Sequence, residues 1–372
     1  MRQLLANLST LRSYHSEVTF LVGENGSGKS TNLVQLAKEA TQTGQPVLAI
    51  SNTVYDRFPR IRGSYSELAG MSQRSLPSRS LGHAILTNDV DRREQNLQRI
   101  SKVLEYLGFG TDIGISLPRW FSKDFLSAQS FSKLDEIFSA FRRNADGIVW
   151  LRGLESGYGR SSLNILSELQ HDSVLPRRRA LPLEFHLRKG DHVLKIGQAS
   201  SGELTLLATY AFIAANIREN VLLLIDEPEN SLHPKWQNEY CLRLLDMFYL
   251  YSPQIIIATH SPVIVSGAQG HNLPIRIMEV EGAILTPREV TSSIEATLYE
   301  SFQTLSPSNH FLSEQVALLL DALSRGALSE NDFENKVRNF EKHSYDQAQK
   351  EFLFGVRKLG DSVIEKFRKS GR

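Results

Sequence analysis

The 372-residue chain has one cysteine, Cys241. That excludes an internal disulfide and fits a reducing compartment. It also leaves no zinc site, because the histidines other than His260 show no metal-ligand spacing. No apolar run approaches the roughly 18 residues that a membrane-spanning helix needs. The opening stretch MRQLLANLSTLRSYHSE has too many polar interruptions for a secretory signal. Membrane insertion is therefore not expected, and a cytoplasmic protein is. Charge of either sign is not in excess: the net charge is +1, so no global field directs the chain to nucleic acid. The cluster Arg177, Arg178 and Arg179 reads as a solvated loop. Internal repeats, low-complexity tracts and sustained heptad seams are missing too, which excludes repeat arrays and long coiled coils.

What is present is an ordinary globular balance, 41% hydrophobic and 22% charged residues. The length suits two domains or one large domain with insertions. VTFLV at 18–22 and PVLAIS at 46–51 read as short buried strands around a helical stretch, a βαβ unit. From about Arg74 to Arg177 the pattern is helical. Leu97, Ile100, Val103, Leu104 and Leu107 share one face, as do Leu134, Ile137, Phe138 and Phe141. Residues 183–196 and 275–289 alternate like hairpins about Gly190 and about Glu281-Gly282. The apolar runs at 221–225 and 255–259 suit parallel strands covered on both faces, so the sheet is mixed. Beyond about 305 the signal is again helical, with Phe352, Val356, Leu359, Val363 and Phe367 spaced as a stripe.

Residues 23–31, GENGSGKST, follow a strand and open a helix, the context that a phosphate-binding loop requires. Gly23, Gly26 and Gly28 permit the tight turn. With Asn25, Ser27 and Thr31 they bring backbone amides to phosphate oxygens at a helix N-terminus. Lys29 is expected on the β- and γ-phosphates of ATP, and the Ser30 hydroxyl on Mg²⁺. The strand at 221–225 runs into Asp226-Glu227, two acids whose side chains diverge at a strand end. Asp226 would hold the Mg²⁺ shell, and Glu227 would orient and help deprotonate the attacking water. The strand at 255–259 runs into His260, at the sheet edge where open α/β folds bind ligands, with the γ-phosphate as its expected partner. QASSGE at 198–203 leads into an apolar helix, placing Ser200, Ser201 and Gly202 at a phosphate-attracting helix N-terminus.

Taken in order, GENGSGKST, ASSGE, LLLIDEPENSLHP and the histidine of ATHSP resemble the Walker A, signature, Walker B, D-loop and switch-histidine elements of ABC ATPases. The resemblance covers the motif-bearing parts of 18–265. It implies a P-loop α/β fold of ABC type, with a mixed central sheet, a helical insertion and a helical C-terminal tail. The core would span 1–75 and 181–300, the insertion 76–180 and the tail 301–372. It also implies a homodimer with composite ATP sites, in which Ser200 and Gly202 contact ATP bound to the other subunit and Ser231 lies at the interface. The 171-residue separation of Lys29 and Ser200, the strand hairpin before the signature and the SLHP sequence resemble the soluble SMC, RecF and OLD-like branch. Ala199 and Ser201 depart from the commonest signature. Asn52 is the best positional substitute for the Q-loop glutamine, with Gln73 further off, and Tyr14 and His15 are the candidates for stacking on adenine.

The chain carries a nucleotide switch but no visible nuclease constellation. The resemblance therefore points to an ATPase that controls a separate effector, a nuclease or toxin, as phage-defence ATPases of the Septu or retron-associated kind do. A DNA-clamping repair or chromosome ATPase is the alternative, with nucleic acid as partner. A transporter's ATP-binding subunit is the third reading.

Overall fold

Strands that are apolar on both faces need cover on both sides, and four such runs build the centre of one sheet. They are β1 (Val18–Val22), β2 (Val47–Ser51), β8 (Leu222–Asp226) and β9 (Gln254–Ala258). With β3 (Tyr65–Leu68), β10 (Ile275–Glu281) and β11 (Ile284–Arg288) they form a seven-stranded sheet of order β11-β10-β1-β9-β8-β2-β3. The computed structural model describes residues 17–52, 58, 64–68, 76–87, 89–118, 139, 146–151, 183–282, 284–288, 310–342 and 347–370. Every pairing in this sheet is parallel except β10 with β11. The strands expected at 221–225 and 255–259 each stand one residue away from those bounds. The expected βαβ unit exists, but β9 and β8 lie between its two strands.

Alternate residues of the central strands feed two separate cores. Phe20, Ile50, Leu223, Ile225, Ile255 and Ile257 point to one face, and Leu21, Ala49, Leu224, Ile256 and Ala258 to the other. The second face is covered by α1 (Lys29–Gln42) through Leu33, Leu36, Ala37 and Ala40. The first is covered by α2 (Leu76–Ile85), α3 (Val90–Tyr106), α4 (Ser201–Asn216), α5 (Pro234–Phe248) and α6 (Pro262–Gly270). Helix α4 is buried nearly all round, which explains why its sequence is apolar without a polar face. Each fully buried leucine or isoleucine here contributes about 1.5–3 kcal/mol, so Leu224→Asp alone would open the sheet's core.

A second, antiparallel sheet of order β5-β4-β6-β7 is built from β4 (Ile113–Ser116), β5 (Val149–Leu151), β6 (Glu184–Lys189) and β7 (His192–Lys195). Gly190, at φ 59°, makes the expected hairpin turn. Residues 76–180 thus carry β4 and β5 as well as α2 and α3, and a boundary at 180 divides one sheet. Leu97 to Leu107 pack inward as a face of α3 and its end, as expected. Leu134, Ile137, Phe138, Phe141 and Arg177 to Arg179 lie outside the described residues.

The C-terminal region is helical and has a core of its own. Helices α7 (His310–Ser324), α8 (Glu330–Lys342) and α9 (Gln347–Ser370) bury Leu312, Val316, Phe333, Val337, Leu353 and Val356 together. The expected α9 stripe holds in part: Val356 and Val363 pack into this core. Leu353 and Val356 face the core, Gly360 lies against the Phe333 ring, and Phe352 and Leu359 face outward. The segment FLFG offers apolar side chains on two faces, and the close approach of Gly360 to Phe333 selects between them. The Phe367 side chain lies outside those described. Among the described residues no helix is long and apolar enough to cross a membrane.

Candidate active site

The sheet register aligns Leu21 with Ala258, Ala258 with Asp226, and Asp226 with Ser51. The loops that leave β1, β9, β8 and β2 therefore emerge side by side at one carboxyl edge. They carry, in that order, the GENGSGKST loop, His260, Asp226-Glu227 and Asn52. Residues far apart in sequence are brought together by strand order alone.

The glycine-rich loop turns through Gly23, Gly26 and Gly28 at φ 149°, 86° and 97°. Gly28 is the N-cap of α1 and offers no side-chain cap, so the first helical amides stay available to an anion. A turn from another part of the chain grips the loop. The Gly282 amide donates to the Ser27 carbonyl at 2.8 Å, and Asn32 Nδ2 donates to the carbonyls of Gly28 and Gly282 at 2.9 and 2.8 Å. A Cβ on Gly28 would come within 3.0 Å of the Gly282 carbonyl oxygen, so this approach needs glycine. Asn25 and Thr31 are exposed, while the Ser27 Oγ is buried.

Lys29 is buried, and its Nζ donates to the carbonyls of Gly23 and Glu24 at 2.8 and 3.0 Å. Burial pushes its pKa below the ordinary lysine value, while the nearby carboxylates of Glu227, Asp226 and Glu229 act to raise it. Ser30 Oγ donates to Asp226 Oδ1 at 3.1 Å, deep beneath the loop. Ser30 and Asp226 together offer Mg²⁺ two oxygens. That fits an ion that keeps several waters and takes phosphate oxygens from its nucleotide. Among the described residues no group of three or more His, Cys, Asp or Glu could hold a metal by itself.

The two adjacent acids do diverge. Asp226 is buried beside Ser30, and Glu227 turns out of the strand at φ 49°. A non-glycine residue in that region costs about 1–3 kcal/mol and persists only where its surroundings hold it. Here the Glu227 amide donates to the Ala258 carbonyl at 2.9 Å, and its Oε2 accepts from Asn230 Nδ2 at 3.0 Å. Asn230 Nδ2 also reaches the Asn52 carbonyl at 3.3 Å. Asn52 itself donates from its amide to the Asp226 carbonyl at 3.1 Å and from Nδ2 to the Pro228 carbonyl at 3.4 Å. It stands beside the carboxylate pair, while Gln73, Tyr14 and His15 lie outside the described residues.

His260 is not isolated. Glu229 Oε1 accepts from the His260 amide at 2.8 Å and lies 3.0 Å from His260 Nδ1. Sequence reasoning missed Glu229, Asn230, Asn32 and Gly282. The third acid in DEPEN was the available signal for Glu229, and no local pattern marks the other three.

Ser200 is the N-cap of α4. Its Oγ accepts from the Glu203 amide at 3.3 Å, and Glu203 Oε2 accepts from the Ser200 amide at 2.7 Å. Lys189 on β6 donates to the other Glu203 oxygen at 2.9 Å. Burial acts to raise the Glu203 pKa, but the hydrogen bonds from Lys189 and Ser200 outweigh it and hold the carboxyl below its usual value. Gly202 packs so closely on the Ser231 carbonyl and the Trp236 ring that a Cβ there would lie 2.6 and 2.9 Å from them. Ser231 turns at φ 68°. Ser200, Ser201 and Ser231 are all exposed, so the signature and the D-loop present one joined surface.

A family model described as "AAA domain, putative AbiEii toxin, Type IV TA system" matches residues 52–266. Septu protein PtuA of Bacillus mycoides (strain KBAB4) is 22% identical over 392 aligned residues, covering 100% of this chain and 53% of its own length. Retron Ec83 probable ATPase of Escherichia coli is 33% identical over 112 residues, 27% of this chain and 20% of its own. The chain thus spans about half the length of the first relative and a fifth of the second. Among solved structures, an ATP-binding cassette of an ABC transporter in its ADP conformation is 13% identical, covers 77% of this chain and 85% of that one, and aligns with a TM-score of 0.32. The family match spans more than half of the 372 residues and runs through ASSGE, the carboxylate pair and His260, and the chain accordingly belongs to this AAA-domain family of P-loop ATPases.

Proposed function

We propose that the chain binds MgATP at the Lys29 loop and hydrolyses it as a homodimer, each composite site joining one subunit's P-loop to the other's signature. This cycle controls a separate effector, a nuclease or toxin, in anti-phage defence in the cytoplasm. The observation that carries the reading is the meeting of Lys29 and Ser30 with Asp226 and Glu227 at one sheet edge, including the 3.1 Å Ser30 to Asp226 hydrogen bond.

The amides from Gly23 to Thr31 and the N-terminus of α1 would cradle the phosphates, with Lys29 leaving its loop carbonyls to meet the β- and γ-phosphates. Ser30 and Asp226 would hold Mg²⁺, which supplies charge neutralisation on the phosphate oxygens when bound. Glu227, held by Asn230, would accept the proton of the attacking water, and His260 would face the γ-phosphate. The exposed Ser200 and Ser201, joined to Ser231 through the buried Gly202, support service to a partner's nucleotide. The core would comprise 1–75 and 181–300, with 76–180 inserted and sharing the β5-β4-β6-β7 sheet with it, and 301–372 appended. Likeness to the Septu and retron relatives supports the defence setting.

Purifying the protein together with its native neighbours tests this reading. The expected result is Mg-dependent ATP turnover and a co-purifying nuclease or toxin whose activity follows the nucleotide state. Absence of ATP turnover from the folded assembly overturns it.

A further inference from the structure

Glu229 is nearly inaccessible, its side chain 6% exposed, while the His260 side chain above it is 45% exposed. One carboxylate oxygen, Oε1, accepts a hydrogen bond from the His260 amide at 2.8 Å and lies 3.0 Å from its ring Nδ1. A bare Nδ1 would set its lone pair against the carboxylate oxygen at this distance, so the contact favours the proton on Nδ1. Nε2 is then the ring nitrogen that carries the lone pair.

The other Glu229 oxygen, Oε2, is buried and has no hydrogen-bond partner among the described residues. A half-satisfied buried carboxylate is costly, and such costs concentrate where a site needs them. If the backbone amide of His260 were all that needed an acceptor, an amide side chain would serve without burying a charge. The next residue is anchored independently. The Ser261 amide donates to Thr259 Oγ1 at 2.9 Å and Ser261 Oγ to Gln237 Oε1 at 2.7 Å, so this turn is held on both sides of the ring. Lys29, whose ammonium feels the Glu229 charge, ties the same carboxylate to the phosphate loop.

We infer that Glu229 is a positioning residue that locks the His260 ring in its Nδ1–H tautomer and turns Nε2 toward the terminal phosphate. Glu229 acts through His260 and touches no reacting atom. This rests on the proposed ATP site only for the identity of what Nε2 faces; the tautomer and its dependence on Glu229 stand apart from it. The logic is that of an acid orienting a catalytic histidine.

Nitrogen-detected NMR of ¹⁵N-histidine-labelled full-length protein, with the His260 signal assigned by its loss in His260→Ala, tests the tautomer directly. Wild-type protein is expected to show Nδ1–H, retained in Glu229→Gln, whose amide oxygen still accepts, and lost in Glu229→Ala. An Nε2–H ring in the wild type overturns the inference without need of any variant. In ATPase assays Glu229→Ala should lower kcat by about 10-fold or more with ATP affinity within about 2-fold, and Glu229→Gln should recover most of that loss. A folded Glu229→Ala protein with wild-type kcat overturns the positioning role. Absence of turnover from the wild type, with the Nδ1–H tautomer intact, instead overturns the proposed function and leaves the Glu229 lock standing.

Discussion

Lys29 is one positive charge set among three carboxylates, and its ammonium donates to two carbonyls of its own loop. Removing it leaves those acids uncompensated where phosphates must come. Lys29→Ala should therefore weaken MgATP by at least the worth of a charge-assisted hydrogen bond, about 1.5–3 kcal/mol or roughly 10- to 150-fold. Isothermal titration reads this directly, and unchanged affinity in folded protein would remove the phosphate role. Glu227 poses the opposite case, since its task lies in the reaction and not in binding. Glutamine there can still accept from Asn230 and occupy the same backbone conformation, so Glu227→Gln keeps the geometry and loses the base. Turnover should fall by about 10²–10⁴-fold with ATP still bound, and an ATP-loaded dimer should accumulate on sizing chromatography. Wild-type turnover in that variant would assign the water to another group.

At the scale of elements, the signature helix and the D-loop are coupled within one chain by a missing side chain. The Ser231 carbonyl and the Trp236 ring occupy the space that a Cβ at Gly202 would need. Gly202→Ala must therefore push the N-terminus of α4 away from the D-loop, at a cost of about 1–3 kcal/mol. The expected outcome is a lower melting temperature and a loss of turnover, with ATP affinity at the subunit's own P-loop unchanged. If turnover survives, the joined surface has no part in hydrolysis. The same contrast between local and distant contacts decides what the sequence makes legible. GENGSGKST, Asp226-Glu227 and ASSGE are readable because a phosphate cradle, a carboxylate pair and a helix cap each need neighbouring residues in fixed order. The grip of Gly282 on Ser27 and Asn32, and of Glu229 on His260, is not readable, because strand order sets those contacts across long stretches of chain. The insertion of β9 and β8 between β1 and β2 is hidden for the same reason. On α9 the sequence offered two apolar faces, and only the packing of Gly360 on Phe333 distinguishes them.

For the whole molecule, the question is whose nucleotide the signature serves. The N-terminus of α4 is capped internally by Ser200 and Glu203, yet Ser200 and Ser201 remain exposed, on a surface shared with Ser231. A two-fold dimer repeats every contact, so a signature that meets the partner's ATP creates two equivalent sites. Each would join Lys29 and Glu227 of one subunit to Ser200 of the other. Mixing Lys29→Ala protein with Ser200→Arg protein, each inactive alone, then has a defined consequence. In the mixed dimer one site carries both lesions and the other combines an intact P-loop with an intact signature. ATPase activity should return in part on mixing, up to about half of the wild-type sites per mixed dimer if the two fire independently. Sites that must fire together give no turnover but still give ATP-dependent cross-linking between differently labelled mutants, so both are measured on the same mixture. When both proteins are folded and exchange subunits, the absence of rescued turnover and of mixed dimers together would sink the composite site. ATP would then be handled by each chain alone, and the joined surface of Gly202 and Ser231 would need a partner other than a second copy.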